Sequence, residues 1–179
     1  MKGFTLIETL VVLGIVVLLS VALGSFGLSI FQQNRTITSE LNAEGEAKIA
    51  LARIITELRQ AQLANNGAYL LEIASSTRLV FYSDIDHDGV RERLNYFLTG
   101  QELKRGLIEP TVGEPYVYDL AQEQISVVIH DLINTDTPIF SYYDQTYNGT
   151  STGLALSLPV DVKLARLAKI DFLIDANTS

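Results

Sequence analysis

Apolar residues are concentrated near the start of the chain. No charged side chain lies between Thr9 and Phe31, whereas Lys2 and Glu8 come just before this stretch. As an α-helix, about 23 such residues would rise roughly 35 Å, more than the roughly 30 Å hydrocarbon core of a bilayer. The pattern therefore predicts a membrane-spanning helix, and Lys2 favours a cytoplasmic N-terminus.

A second apolar pattern follows, now with helical spacing. Residues that recur every three or four positions predict an amphipathic helix with one buried face. They are Ala47, Ala50, Leu51, Ile54, Ile55, Leu58 and Ala61. Glu46, Arg53 and Glu57 are assigned to the opposite face. The turn signal Asn65-Asn66-Gly67 predicts the end of this helix.

The remainder of the chain has the pattern of strands and turns. Five segments rich in β-branched, aromatic or alternating apolar residues predict strands. They are Thr77–Tyr82, Arg93–Leu98, Glu102–Ile108, Ile139–Tyr143 and Lys169–Ile174. The apolar run 125–133 suits either a helix or a strand. The predicted fold class is α+β: a long N-terminal helix, membrane-spanning in its first half and amphipathic in its second, packed on an antiparallel β-sheet.

Composition removes several classes of function. The formal net charge is -8, which argues against nucleic-acid binding through broad charge attraction, so no direct nucleic-acid binding is predicted. The chain has no cysteine, which excludes disulfides, thiolate nucleophiles and cysteine-ligated zinc. Only His87 and His130 supply imidazole groups, so a multi-histidine metal centre is not expected.

The first eight residues contain a recognisable motif. Gly3-Phe4-Thr5-Leu6-Ile7-Glu8, followed by the apolar run, resembles the processing site of type IV prepilins and type II secretion pseudopilins. The resemblance implies cleavage between Gly3 and Phe4 by a prepilin peptidase, followed by N-methylation of Phe4. It also implies that Glu8 pairs with the terminal amine of a neighbouring subunit. A buried carboxylate requires such a cationic partner.

This resemblance implies an organisation and a location. Residues 1–3 would be a leader, residues 4–32 a transmembrane or filament-core helix, and residues 33–179 an amphipathic helix with a globular pilin-like β domain. The expected partners are other pilin or pseudopilin subunits, prepilin peptidase, an inner-membrane assembly platform and membrane lipid. The protein would be a single-pass inner-membrane protein with a cytoplasmic N-terminus. It would then enter a pilus or pseudopilus with its body in the periplasm or outside the cell.

Segments of the body resemble minor pilins and pseudopilins more loosely. They are Asp84–Gly89, Leu94–Leu98, Leu103–Arg105 and Pro138–Asp144, in that order. The expected function is that of a minor type IV pilin or pseudopilin, a non-enzymatic structural subunit that joins or primes a filament. Secretion, adhesion or motility, and DNA uptake all stay open as the process that the filament serves.

The segment Asp84-x-Asp86-x-Asp88-Gly89 has the spacing of the first half of a calcium loop. Three carboxylates two residues apart can converge on one ion, and Gly89 permits a sharp turn. An EF-hand would place a bidentate Glu where Asn95 stands, so the second half of the motif is missing. A metal-free Asp-rich turn between strands is the alternative. Apart from calcium, no cofactor is expected.

Two other functions are alternatives. A filament-tip adhesion or ligand-binding module would use the Asp loop or exposed tyrosines as its contact surface, although tyrosines at strand spacing also suit sheet packing. These tyrosines are Tyr116, Tyr118, Tyr142, Tyr143 and Tyr147. A membrane-tethered enzyme would use His130 and Asp131 as an acid/base pair. No nucleophile motif accompanies that pair, so no catalytic residue is predicted.

Overall fold

The computed structural model describes residues 5–134, 136–147, 149 and 154–175, without the side chains of residues 22 and 24–43. The predicted leader residues and the cleavage site between Gly3 and Phe4 lie outside this range. One α-helix precedes seven strands. The elements are α1 (Leu6–Arg59), β1 (Leu71–Ala74), β2 (Arg78–Ser83), β3 (Glu92–Thr99), β4 (Glu102–Ile108), β5 (Gln124–Ile129), β6 (Phe140–Tyr143) and β7 (Leu167–Ile170).

Helix α1 ends earlier than the turn signal predicted. The chain leaves the helix at Gln60, and Ala61 then forms an antiparallel bridge with Ser83. Pairing with the end of β2 therefore replaces the next helical turn. Asn65-Asn66-Gly67 forms a separate turn, in which Gly67 has a φ of 85° and its N–H donates to the Ala64 carbonyl over 2.9 Å.

Two antiparallel sheets follow the helix. The larger sheet has the order β1-β2-β3-β4-β5, in which each strand pairs with the next strand in the chain, and β6 pairs with β7 in a second sheet. Five strands lie where the sequence patterns placed them, within two or three residues at each end except the C-terminal end of β7. The run 125–133, which the sequence left open, supplies β5.

The hydrophobic core lies between the last turns of α1, one face of the larger sheet and strand β6. Alternation along β2 and β3 directs one set of side chains into this core, as expected for strands with a buried face. The core side chains include Ala50, Ile54, Leu79, Phe81, Leu94, Tyr96, Leu103, Ile129, Phe140 and Tyr142. Among the α1 side chains that the structure describes, those in this cluster all come from the C-terminal third.

The predicted fold class and location require a correction at α1. Among the residues that the structure describes, no helix is long and apolar enough to cross a membrane. This finding overturns the predicted membrane-spanning half of the helix and the predicted single-pass inner-membrane location.

The predicted packing of the helix also changes. The spacing of apolar positions predicts a solvent-facing Glu57, but Glu57 is only 8% exposed and lies over the sheet with Ala50 and Ile54. Leu51, Ile55 and Leu58 instead border a groove beside β7. The reason is a buried ion pair between Glu57 and Arg105 of β4.

Candidate assembly surface and acidic loop

The N-terminal part of α1 exposes a continuous apolar surface. Thirteen large apolar side chains between Leu6 and Leu23 are 51–83% exposed. They point in all directions around the helix, because leucine, isoleucine and valine occupy nearly every position. Contiguous exposed apolar surface of this size marks an interaction site in a folded protein.

Glu8 lies in the first turn of this helix and is exposed. Its N–H donates to the Thr5 carbonyl over 3.1 Å. A carboxylate in a first turn interacts favourably with the positive end of the helix dipole. Among the described residues Glu8 has no cationic partner, so its predicted pairing with the terminal amine of a neighbour stays a prediction.

The Asp loop, residues 84–89, forms the connection between β2 and β3. Carboxylate oxygens of Asp84, Asp86 and Asp88 all lie within 4.8 Å of one another. The loop is held by its own backbone: the Gly89 N–H donates to Asp84 Oδ2 over 3.0 Å, and the Val90 N–H donates to Asp88 Oδ1 over 2.7 Å. Gly89 has a φ of 89°, which favours glycine at this turn.

These carboxylates fit a hard divalent cation. The Oδ1 atom of Asp84 is buried and has no hydrogen-bond partner, which leaves one carboxylate oxygen for an ion. Calcium prefers such oxygen ligands. Asn95 adds nothing to the loop, because it lies within β3 and its amide contacts Arg78 and Glu123. Calcium binding by Asp84, Asp86 and Asp88 therefore stays a prediction for an incomplete ligand set.

Calorimetric titration of the full chain with calcium checks this prediction. We expect heat at millimolar calcium, because the ion neutralises three crowded carboxylates, and we expect Asp86→Asn to abolish it. Asp136→Asn is the matched control, since Asp136 is exposed and lies outside the cluster. The absence of heat from the unsubstituted chain would rule out a calcium site here.

A buried carboxylate lies beside the Asp loop. Glu92 is 4% exposed, and its Oε2 accepts from the Ile85 N–H over 2.9 Å. Burial raises the pKa of Glu92, and the nearby charges of Asp86 and Asp84 raise it further. Its ionised form is therefore less favourable in the folded chain than in the unfolded chain.

The pH dependence of stability follows from this pKa shift. The free energy of unfolding should fall as pH rises from the pKa of Glu92 in the unfolded chain, about 4.3, through its higher pKa in the folded chain. Glu92→Gln should abolish that part of the pH dependence and raise the melting temperature at pH 7. Thermal melts between pH 4 and 8 measure it, with exposed Glu109→Gln as the control. Parallel pH profiles for the Glu92→Gln variant and the unsubstituted chain would contradict the prediction.

A buried ionic network joins α1 to the sheet. Arg105 donates from Nη2 to Glu57 Oε1 over 2.8 Å, and the Tyr96 hydroxyl donates to Glu57 Oε2 over 2.5 Å. The two charged side chains are only about a tenth exposed, at 11% and 10%. Burial and the Glu57 carboxylate raise the pKa of Tyr96, which keeps its hydroxyl a donor. This network fixes the rotation of α1 about its axis relative to β3 and β4.

A second polar network lies on the opposite face of the larger sheet. Arg93, 4% exposed, donates from Nε and Nη2 to the two oxygens of Glu72 over 2.7 and 2.9 Å. The Tyr82 hydroxyl also donates to Glu72, and Asn95 donates to Glu123. The hydrogen bond from Arg93 lowers the pKa of Glu72 despite partial burial. The segment between β4 and β5 covers this face, because Tyr118 packs on Tyr82 with ring centroids 5.0 Å apart.

The remaining candidate residues do not converge on a chemical site. His130 Nδ1 lies 3.1 Å from Glu46 of α1, so its partner is a helix carboxylate. Tyr142 is buried in the core at 1% exposure, which makes it a packing residue. Tyr143 and Tyr147 stack on each other with centroids 4.1 Å apart.

Comparison with known proteins gave no relative. No protein-family profile matches the chain, and no curated protein or solved structure matches it significantly.

Proposed function

We propose that this protein is a structural subunit of a helical filament, of the minor type IV pilin or pseudopilin kind that its first eight residues resemble. The observation that carries the proposal is the exposed apolar surface of α1. The thirteen large apolar side chains described between Leu6 and Leu23 are more than half exposed, whereas the described α1 side chains in the core come from the C-terminal third of the helix. Apolar surface of this extent associates in water, and an equivalent helix of another copy matches it in chemistry.

The two ends of α1 differ in what they contact, and this difference supports the proposed function. Residues after Ala47 hold the body to the helix through the core and the Glu57–Arg105 ion pair. The side chains described before Leu23 are not part of that core and are available to pack with other subunits. A subunit of a helical filament requires both parts: a folded body and a helix segment that packs against other copies.

The motif at the N-terminus adds a processing step to the proposal. Cleavage between Gly3 and Phe4 would remove the charge of Lys2 from the apolar segment and create a new terminal amine. Glu8 of a neighbouring subunit would neutralise that amine, so neither charge would be buried alone. Prepilin peptidase is the partner that this step requires.

Coexpression with a prepilin peptidase tests the processing step. Intact-mass and N-terminal analysis should show a chain that begins at Phe4 and carries one added methyl group. Gly3→Leu should block cleavage because a bulky side chain occupies the scissile position, and Gly14→Leu, a glycine substitution inside the helix, should not. A chain that still begins at Met1 in the presence of active peptidase would contradict the proposal.

A further inference from the structure

A groove lies between α1 and strand β7. Its volume is about 600 Å³, and its walls are mainly apolar. Two arginines, Arg59 and Arg166, also line it, and neither forms an ion pair within the part of the chain that the structure describes. The apolar walls come from Leu51, Ile55, Leu58, Leu167, Ala168 and Ile170. The groove is therefore apolar at its walls and positively charged at two lining positions.

The connection between β4 and β5 is acidic and exposes apolar side chains, so it complements the groove. No lysine or arginine occurs between Arg105 and Lys163. Glu109, Glu114 and Asp119 are exposed on this connection, and none forms an ion pair among the described residues. The connection also exposes large apolar side chains, namely Val112 at 106%, Val117 at 51% and Leu120 at 64%.

The two surfaces belong to different faces of the larger sheet. The groove borders α1, which packs on the face that carries Phe81. The connection crosses the face that carries Tyr82, the next residue, through the contact of Tyr118 with that ring. Successive side chains of a strand point to opposite faces. The connection of the same chain therefore lies away from the groove, whereas the connection of a second copy is free to reach it.

We infer that the groove beside β7 binds the β4–β5 connection of a second copy of this chain. Val112 and its apolar neighbours enter the groove, and the acidic side chains of the connection face Arg59 and Arg166. The contact joins two different surfaces, so it is heterologous and propagates in one direction instead of closing a dimer. This inferred contact rests on the proposed function and specifies how the bodies of neighbouring subunits touch.

Mixed single-cysteine cross-linking tests this contact, because the chain has no native cysteine. Val112→Cys chains are mixed with Leu167→Cys chains and treated with a short bis-maleimide. Both positions are exposed, so both variants should fold. Cross-linked dimers should be abundant in this mixture. They should be scarce when Gln101→Cys, an exposed position in the β3–β4 turn, replaces Val112→Cys.

Reversing the charges on each side of the contact then tests its electrostatic contribution. Glu114→Lys with Asp119→Lys in the Val112→Cys chain should lower the cross-linking yield about tenfold, because like charges would meet across the contact. Arg59→Glu with Arg166→Glu in the Leu167→Cys chain should restore it. An unchanged yield with the first pair of substitutions would overturn the charge pairing.

The outcomes separate this contact from filament formation. Filaments without the Val112–Leu167 cross-link would overturn the contact and leave the proposed function intact. The cross-link without filaments would support the contact and count against the proposed function. The absence of both would overturn both, and equal cross-linking from Gln101→Cys would show that the groove does not select the β4–β5 connection.

Discussion

Arg105→Met is expected to lower the free energy of unfolding by about 3–5 kcal/mol, the cost of leaving one member of a buried ion pair without its partner. Glu57 would keep the Tyr96 hydroxyl but lose both bonds from the guanidinium. A carboxylate that is about a tenth exposed has little access to water in compensation. The loss would act at the junction between α1 and the sheet, so the helix would detach first.

Chemical denaturation of the full chain measures this effect. Lys104→Met is the matched control, because Lys104 is the preceding residue, points to the other face and pairs with partly exposed Glu102. The control should change stability by less than about 1 kcal/mol. Replacement of both partners, Glu57→Leu with Arg105→Met, should recover much of the loss, since no unpaired charge remains. A loss below 1 kcal/mol for Arg105→Met alone would show that the network does not secure α1.

The second large effect concerns assembly. Val16→Lys should abolish filament formation while leaving the stability of the body unchanged. Val16 is 51% exposed in the free chain and would be covered by other subunits in a filament. Each large apolar side chain covered in this way contributes about 1.5–3 kcal/mol, and an unpaired ammonium at the same place would oppose association. The combined change should raise the concentration required for assembly at least about 100-fold.

Sedimentation and electron microscopy of matched preparations measure the assembly. Leu63→Lys is the control, because Leu63 is similarly exposed, at 56%, but lies after α1. It should assemble as the unsubstituted chain does. Filaments formed normally by Val16→Lys would show that the apolar segment of α1 is not the assembly surface.

The body strands could be predicted because their signals are local. The pattern of β4 is contained in Glu102–Ile108, and the structure has a strand with those bounds. The Asp loop was placed between two predicted strands for the same reason, since Asp and Gly suit a turn backbone whatever surrounds it. Neither prediction required knowledge of a distant residue.

The polar networks could not be predicted because they depend on distant partners. The helical spacing predicts a solvent-facing Glu57, and its burial depends on Tyr96 and Arg105, which lie 39 and 48 positions later in the chain. Arg93 and Asn95 alternate with Leu94 and Tyr96, a pattern that indicates one exposed face. That face is covered by the β4–β5 segment, whose path has no periodic signal.

The end of α1 could not be predicted from the sequence either. Asn65-Asn66-Gly67 is a strong turn signal, but it marks a later turn. The helix ends at Arg59 because Ala61 pairs with Ser83 and the Gln62 N–H donates to the Tyr82 carbonyl over 2.9 Å. Tertiary pairing of this kind overrides local helix propensity.

The proposed assembly requires that residues 6–23 of α1 become covered by other copies of the chain. Cysteine protection measures this change in accessibility. Val16→Cys chains are treated with a polar maleimide before and after assembly, with Leu63→Cys chains as the control. Mass spectrometry then measures the fraction of chains that carry the label. We expect Val16→Cys to react in the dispersed chain and to be protected in filaments, while Leu63→Cys reacts in both. Equal labelling of Val16→Cys in dispersed and assembled chains would show that other copies do not cover this segment of α1.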